Sequence, residues 1–376
     1  LPEFDGFKQE SRGMAGITQE QVETALKEVI DPFMEKDVVS AKAVKEIRIE
    51  DDRVSIKVIL GYPAKSNKDE LAKMLKAKVE AIPGVASADV DVSVKIASHA
   101  VQKGIQPLKN LRNIIAVASG KGGVGKSTVA VNLALALSQE GAKVGILDAD
   151  IYGPSQPRML GVHAKPESKD GQSLEPLVSY HVQSMSIGYL IDEETPMIWR
   201  GPMVTQALEQ LLKDTNWQDL DYLVVDLPPG TGDTQLTLAQ KIPVSGAIIV
   251  TTPQDIALLD ARKGLKMFEK VQVPVLGIVE NMSTHICSKC GHAEPIFGEG
   301  GGLRMAEQHD VDFLGGVPLD IRIREDTDGG KPTVVKEPEG RIAQVYRDIA
   351  RRAAAKLSLK AKDYTTKFPS IVIQNN

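Results

Sequence analysis

Residues 119–128 read SGKGGVGKST and follow directly on the apolar run IIAVA at 114–118. No other stretch narrows the fold as much. Gly120–x4–Gly125–Lys126–Ser127 satisfies the P-loop pattern, and it stands where that pattern needs to stand, after a β-branched run and before the helical stretch TVAVNLALALSQE. Backbone N–H groups from Gly120 through Gly122, Gly123, Val124 and Gly125 to Thr128 can then cradle phosphate oxygens. Lys126 is expected to reach the β/γ-phosphates and the Ser127 hydroxyl to ligate Mg²⁺. Lys121 exceeds the ordinary pattern. With Lys126 already serving the chain's own phosphates, Lys121 either faces solvent or crosses to a nucleotide held by a second copy.

The loop sits inside a regular grammar. NIIAVAS, KVGILDAD, DYLVVDLPPG, GAIIVTTP and VPVLGIVEN are short apolar runs that end in polar or glycine-rich sequence, and helical stretches separate several of them. Continuous apolar strands with helices between them indicate a parallel sheet covered on both faces, with ligands at the carboxyl ends of its strands. Ahead of this lies a smaller pattern of helix, strand, strand, helix, strand. Val22, Leu26, Val29 and Ile30 follow a helical spacing, with Thr18 and Gln21 placed as a capping box. VKEIRIE and RVSIKVIL read as a hairpin turned at Asp51–Asp52. NKDELAKMLKAKVEAI reads as a helix with Asn67 and Glu70 at its cap, and DVDVSVKI at 89–96 as a strand.

The fold class is therefore α/β, a P-loop NTPase with a mainly parallel sheet covered by helices, preceded by a small α+β domain. The expected division is an expression remnant at 1–13, the small domain at 14–97, a linker at 98–112, the ATPase domain at 113–356 and a tail at 357–376. A chain of 376 residues suits one large and one smaller core.

Carboxylates end two of the strands. Asp226 closes LVVD, as expected of an acid that holds Mg²⁺ through water. ILDAD places Asp148 and Asp150 on one face of a strand end by the period of two. Either can orient a water, join the metal's outer sphere or serve local turn bonding. Gly230 to Asp233 follow Asp226 and can sense the loss of a γ-phosphate.

The only cysteines, Cys287 and Cys290, stand in THICSKCGH between His285 and His292. Three readings of them are open: a zinc site with both histidines, a thiol–disulfide pair, and two copies pooling four thiolates for one iron–sulfur cluster. A net charge of −5 offers no argument for nucleic acid as a partner. No apolar run reaches the length of a membrane span, and Pro369 interrupts any amphipathic face in the tail. A cytoplasmic protein without membrane attachment is expected.

SGKGGVGKST, LDADIYGPS, WRGP, DYLVVDLPPGTGD, IVENMS, CSKCG and GVPLDIRIRE, taken together and in this order, resemble the Mrp/Nbp35 family. These are iron–sulfur cluster carriers among the ParA/MinD-like deviant P-loop ATPases, and the resemblance spans roughly 111–355. LGYPAKS and its surroundings resemble the small MIP18-type domain, although DPFMEKD lacks the acidic residue that commonly follows DP there. The resemblance implies ATP, Mg²⁺ and a [4Fe–4S] cluster as ligands. It also implies a homodimer, a cluster donor and apo iron–sulfur proteins as partners. By the same resemblance, Lys121 is the signature lysine that reaches the partner's ATP, and Asp150 is the switch I acid that positions water beside Asp148. Asp226 is the Walker B acid, with Gly230 to Asp233 as switch II. Asn281 contacts adenine, the loop at Pro318 closes over the base, and Cys287 with Cys290 bridges the cluster. The alternative is a MinD/ParA-like nucleotide switch for positioning or partitioning, with a structural zinc or a redox pair at the cysteines.

Overall fold

The computed structural model describes residues 16–102, 104–191, 201–287 and 289–361. The expected remnant at 1–13, Trp199 and Arg200 of the WRGP block, and the tail from 362 onward lie outside the described residues. The chain divides into two compact units. One runs up to Leu60 and resumes at Ser66–Ser93; the other holds Gly61–Lys65 and everything from Val94 onward.

In the smaller unit, a capping box starts the helix Gln19–Lys27: the Thr18 side chain accepts from the Gln21 N–H, and the Gln21 side chain reaches back. Strands Val44–Glu50 and Arg53–Leu60 pair antiparallel around Asp51, whose φ of 56° supplies the tight turn. Ser87–Val94 joins them as the third strand. Val54, Ile56, Val58 and Leu60 are buried at alternate positions, as a sheet with one covered face requires. The second helix, Lys68–Glu80, forms as expected, but Asn67 makes no side-chain cap bond to it. Its φ of −120° and ψ of −8° depart from the extended backbone that aims a capping oxygen at the first turn.

The larger unit is built on an eight-stranded sheet. From edge to edge its strands are Phe313–Gly316, Val275–Glu280, Gly246–Thr251, Leu111–Ser119, Leu220–Asp226, Val144–Asp148, Val182–Ser186 and Leu177–Ser179. All neighbours are parallel except the last pair. The P-loop strand is central, and its residues are buried almost without interruption because helices cover both faces. The chain crosses from it in one direction through helix Lys126–Gln139. After Val182–Ser186 it returns in the other direction through helices Gly201–Asp214, Asp233–Lys241, Asp255–Lys270 and Gly301–Gln308. Right-handed crossovers running opposite ways put these helices on opposite faces. The helix Arg341–Ser358 packs against the P-loop helix, which accounts for every residue of that helix from Val129 to Leu137 being buried.

Within the expected linker, His99 and Gln102 are bonded to this unit. Gln102 donates to the carbonyls of Ala239 and Ile242 and accepts from the Val244 N–H, and His99 and Asn113 are joined at 2.9 Å. Among the described residues no helix is long and apolar enough to cross a membrane.

Candidate functional site

The P-loop leaves the central strand at Ser119 and enters its helix at Lys126. Two glycines explain why the loop is glycine-rich. At Gly120 a methyl would run into the Asp260–Ala261 peptide of a neighbouring helix. At Gly125 the backbone is left-handed, with φ of 80°, and a methyl would strike the Asn281 amide. Gly123 is also left-handed, and Gly122 lies beside Pro229, 4.0 Å from where its own Cβ would stand. The Val124 carbonyl accepts from Asn281 Nδ2 at 2.8 Å, and the Thr128 carbonyl from Asn132 Nδ2 at 2.9 Å.

The buried chemistry converges behind the loop. Lys126 is 5% exposed and forms an ion pair with Asp226, while its ammonium also donates to Ser127 Oγ at 3.1 Å. Asp226 and Asp148 end neighbouring parallel strands in register and are both fully buried. Asp148 Oδ2 accepts from the Ser155 N–H at 2.9 Å, the Gln156 N–H at 3.0 Å and the Ser186 hydroxyl at 3.1 Å. Its Oδ1 accepts from the Asp150 N–H at 3.2 Å. Burial, with the Asp226 charge beside it, pushes Asp148 up to about 7. One ammonium faces two carboxylates here, so the second acid tends to keep its proton. The strand stops at Asp148, and the period of two therefore does not reach Asp150, which lies half-buried in the following turn. Burial raises Asp150 as well, against the pull of Lys126.

Gln156 was absent from the sequence reading. It is fully buried, and its Nε2 donates to Asp226 Oδ2 at 2.9 Å and to the Ser127 carbonyl at 3.2 Å. Its Oε1 and the neighbouring Ser155 Oγ are buried with no protein partner. One side chain thus joins the loop, the strand-end acid and the segment that wraps Asp148. The signal lay one residue past the block LDADIYGPS, in a polar residue with no spacing to mark it.

Ser127, Asp226 and the unpartnered oxygens make a donor set of hard oxygen atoms, which fits Mg²⁺. Gly230, with φ of 100°, anchors the segment after Asp226 by donating to the Ser119 carbonyl at 3.0 Å. Lys121 is partly exposed, and its ammonium pairs with nothing among the described residues, although its carbonyl accepts from Ser119 Oγ.

The cysteines stand on a hairpin in which His285–Ile286 pairs with Ala293–Glu294. Cys287 N–H donates to the His292 carbonyl at 2.9 Å, and the Gly291 N–H closes the turn onto the Cys287 carbonyl at 2.8 Å. Cys290 is exposed and Cys287 partly so; both are free thiols. The backbone N–H groups of Lys289 and then Cys290 point at the Cys287 sulfur and hold its thiol below the usual range. Among the described residues no three His, Cys, Asp or Glu converge into a group able to hold a metal. Pro318 lines a cavity of about 560 Å³ together with Ser283, His285, Ile321, Arg341 and Val345.

A glycine loop between a central parallel strand and a buried helix, with lysine and two strand-end carboxylates behind it, defines a P-loop NTPase. The model of a family described as NUBPL iron-transfer P-loop NTPase matches residues 110–354, and one described as iron–sulfur cluster assembly protein matches 19–92. The chain belongs to the first of these families, in agreement with its resemblance to Mrp/Nbp35 carriers. The iron–sulfur cluster carrier protein of Escherichia coli (strain K12) is 53% identical over 327 residues, covering 87% of this chain and 89% of the relative. The iron–sulfur cluster transfer protein NUBPL of Mus musculus is 52% identical over 254 residues, 67% of this chain and 80% of its own. Among solved structures, a nucleotide-binding protein in complex with ADP from Archaeoglobus fulgidus superposes with a TM-score of 0.54 at 37% identity. It covers 62% of this chain and 92% of its own.

Proposed function

We propose that this protein is an ATP-dependent carrier that holds a [4Fe–4S] cluster between two copies and delivers it to apo-proteins. The observation that carries the reading is the cysteine hairpin. It presents two thiols at a surface, one of them disposed to ionise, with no third ligand among the described residues of its own chain. Two such hairpins supply the four thiolates that a cluster takes. The relatives aligned over most of both chains are carriers, which supports the same cargo here. Nothing in the structure favours the positioning or partitioning switch.

In this reading ATP occupies the loop from Gly120 to Thr128. Ser127 and, through water, Asp226 would hold magnesium, which would supply positive charge where the phosphoryl oxygens become more negative. Lys126 exchanges Asp226 for the phosphates, and Gln156 keeps the freed carboxylate oriented. Asp150, on the exposed side of Asp148, positions the attacking water. Lys121, whose ammonium has no partner among the described residues of its own chain, reaches the nucleotide of the second copy. Asn281 and Pro318 flank the base. Gly230 to Asp233 register whether a γ-phosphate is present. The carrier works in the cytoplasm, receives its cargo from a cluster donor and needs neither membrane nor nucleic acid.

Anaerobic reconstitution with iron and sulfide tests the reading, followed by iron, sulfide and zinc counts and Mössbauer spectra. About four iron and four sulfide per two chains are expected, lost in Cys287→Ala. One tightly held zinc per chain, with no sulfide, would refute the cluster.

A further inference from the structure

The segment that carries the cysteines is an extension of the sheet. Strands Val275–Glu280 and Phe313–Gly316 are parallel neighbours, and their pairing continues past both strand ends. The Val317 N–H donates to Glu280 O at 2.9 Å, the Ser283 N–H to Val317 O at 3.0 Å and the Leu319 N–H to Thr284 O at 3.0 Å. The last rung is a side chain. His285 Nδ1 lies 3.0 Å from the Leu319 carbonyl, and because a carbonyl only accepts, Nδ1 carries the proton and donates. Two residues later the chain reaches Cys287. At the other end of this strap, Asn281 grips the P-loop carbonyl of Val124 and its own N–H donates to Thr251 O at 2.8 Å.

From Asn281 to Cys287 the backbone advances six residues, about 20 Å at most. Glu280, Ser283, Thr284 and His285 are all bonded across to Val317 and Leu319, so a displacement at the loop end has little slack to be absorbed in. The histidine is the rung next to the thiol, and no zinc or redox role is needed to account for it.

We infer that His285 is a positioning residue that ties Cys287 to the nucleotide loop through the 281–285 strap, so that nucleotide occupancy changes the exposure of the Cys287 thiol. This rests on the proposed nucleotide and cluster sites and extends them by naming the connection. Removing the Nδ1 donor uncouples the two ends while leaving Asn281, the P-loop and the Cys287 thiol themselves unchanged.

The experiment uses reduced, cluster-free full-length protein. Iodoacetamide labelling of Cys287 is followed by mass spectrometry with and without Mg-ADP, and binding of a fluorescent ADP is measured on the same samples. The wild-type labelling rate is expected to change about threefold or more on nucleotide binding. His285→Leu should label at one rate in both conditions while binding ADP within about twofold of wild type. His285→Asn, which returns an amide N–H to the Nδ1 position, should recover the response; it also guards against misfolding of the leucine variant. A full nucleotide response in His285→Leu overturns the inference, as does a wild-type rate indifferent to bound ADP. Absence of ADP binding to the wild type would instead remove the nucleotide reading itself, and the inference with it. Cluster counts on reconstituted protein report on the cargo separately.

Discussion

Gln156, which no motif marks, joins the P-loop to both strand-end acids. It bonds Asp226 and the Ser127 carbonyl through one amide nitrogen, and its backbone N–H serves Asp148. When Lys126 turns to a phosphate, this amide is what remains to orient the Asp226 carboxylate. Partners of this kind typically affect metal affinity by about 10–100-fold. Gln156→Leu is therefore expected to raise the Mg²⁺ concentration needed for half-maximal tightening of ADP binding by about tenfold. ADP affinity without magnesium should stay nearly unchanged. Fluorescent-ADP titrations across a magnesium series would read both, and equal magnesium midpoints in the two proteins would dismiss the role. Lys126, Asp226 and the glycines were legible because a P-loop and a strand-end acid are local patterns. Gln156 was not, since its partners are 29 and 70 positions away along the chain.

Strand ends decide the acid–base character of the site. Asp148 and Asp226 face each other because their strands are neighbours in register, although 78 positions separate them. The proton that Asp148 keeps up to about 7 in the folded protein is lost near 4 in the unfolded chain. The folded state thus binds more protons between these values, and stability must fall as pH rises through that window. The contribution is complete below about pH 4 and gone above about pH 7. Thermal melts without magnesium or nucleotide should show wild type losing more stability from about pH 5 to about pH 8 than Asp148→Asn does. Parallel pH curves would count against the assignment. Among the strands, the continuous apolar ones could be read directly, because burial on both faces demands them. Val182–Ser186 and Phe313–Gly316 escaped, since VQSMS is largely polar and FLGG ends in glycines. Only pairing with a formed neighbour makes strands of such segments.

Across the whole molecule, the proposal requires a cluster that belongs to neither chain alone. If two chains contribute two thiolates each, capacity depends on pairs. Equal amounts of wild type and a Cys287→Ser, Cys290→Ser variant, allowed to exchange subunits before reconstitution, should leave about a quarter of the dimers able to load. Cluster absorbance per chain would then drop to about half of the value expected from simple dilution. A yield that falls only in proportion to the wild-type fraction would place the whole site within one chain. The sequence by itself determined the phosphate loop, the alternation of apolar strands with helices, the capping box at Thr18 and the cysteine pair. Each depends on residues adjacent along the chain or one helical or strand period apart, where spacing alone carries the chemistry. The tertiary structure decided that Lys126 meets Asp226 across 100 positions, that Gln156 closes the cluster and that His285 is bonded to Leu319. Burial and the need of buried polar groups for partners act between packed neighbours, and those neighbours exist only once the sheet has formed.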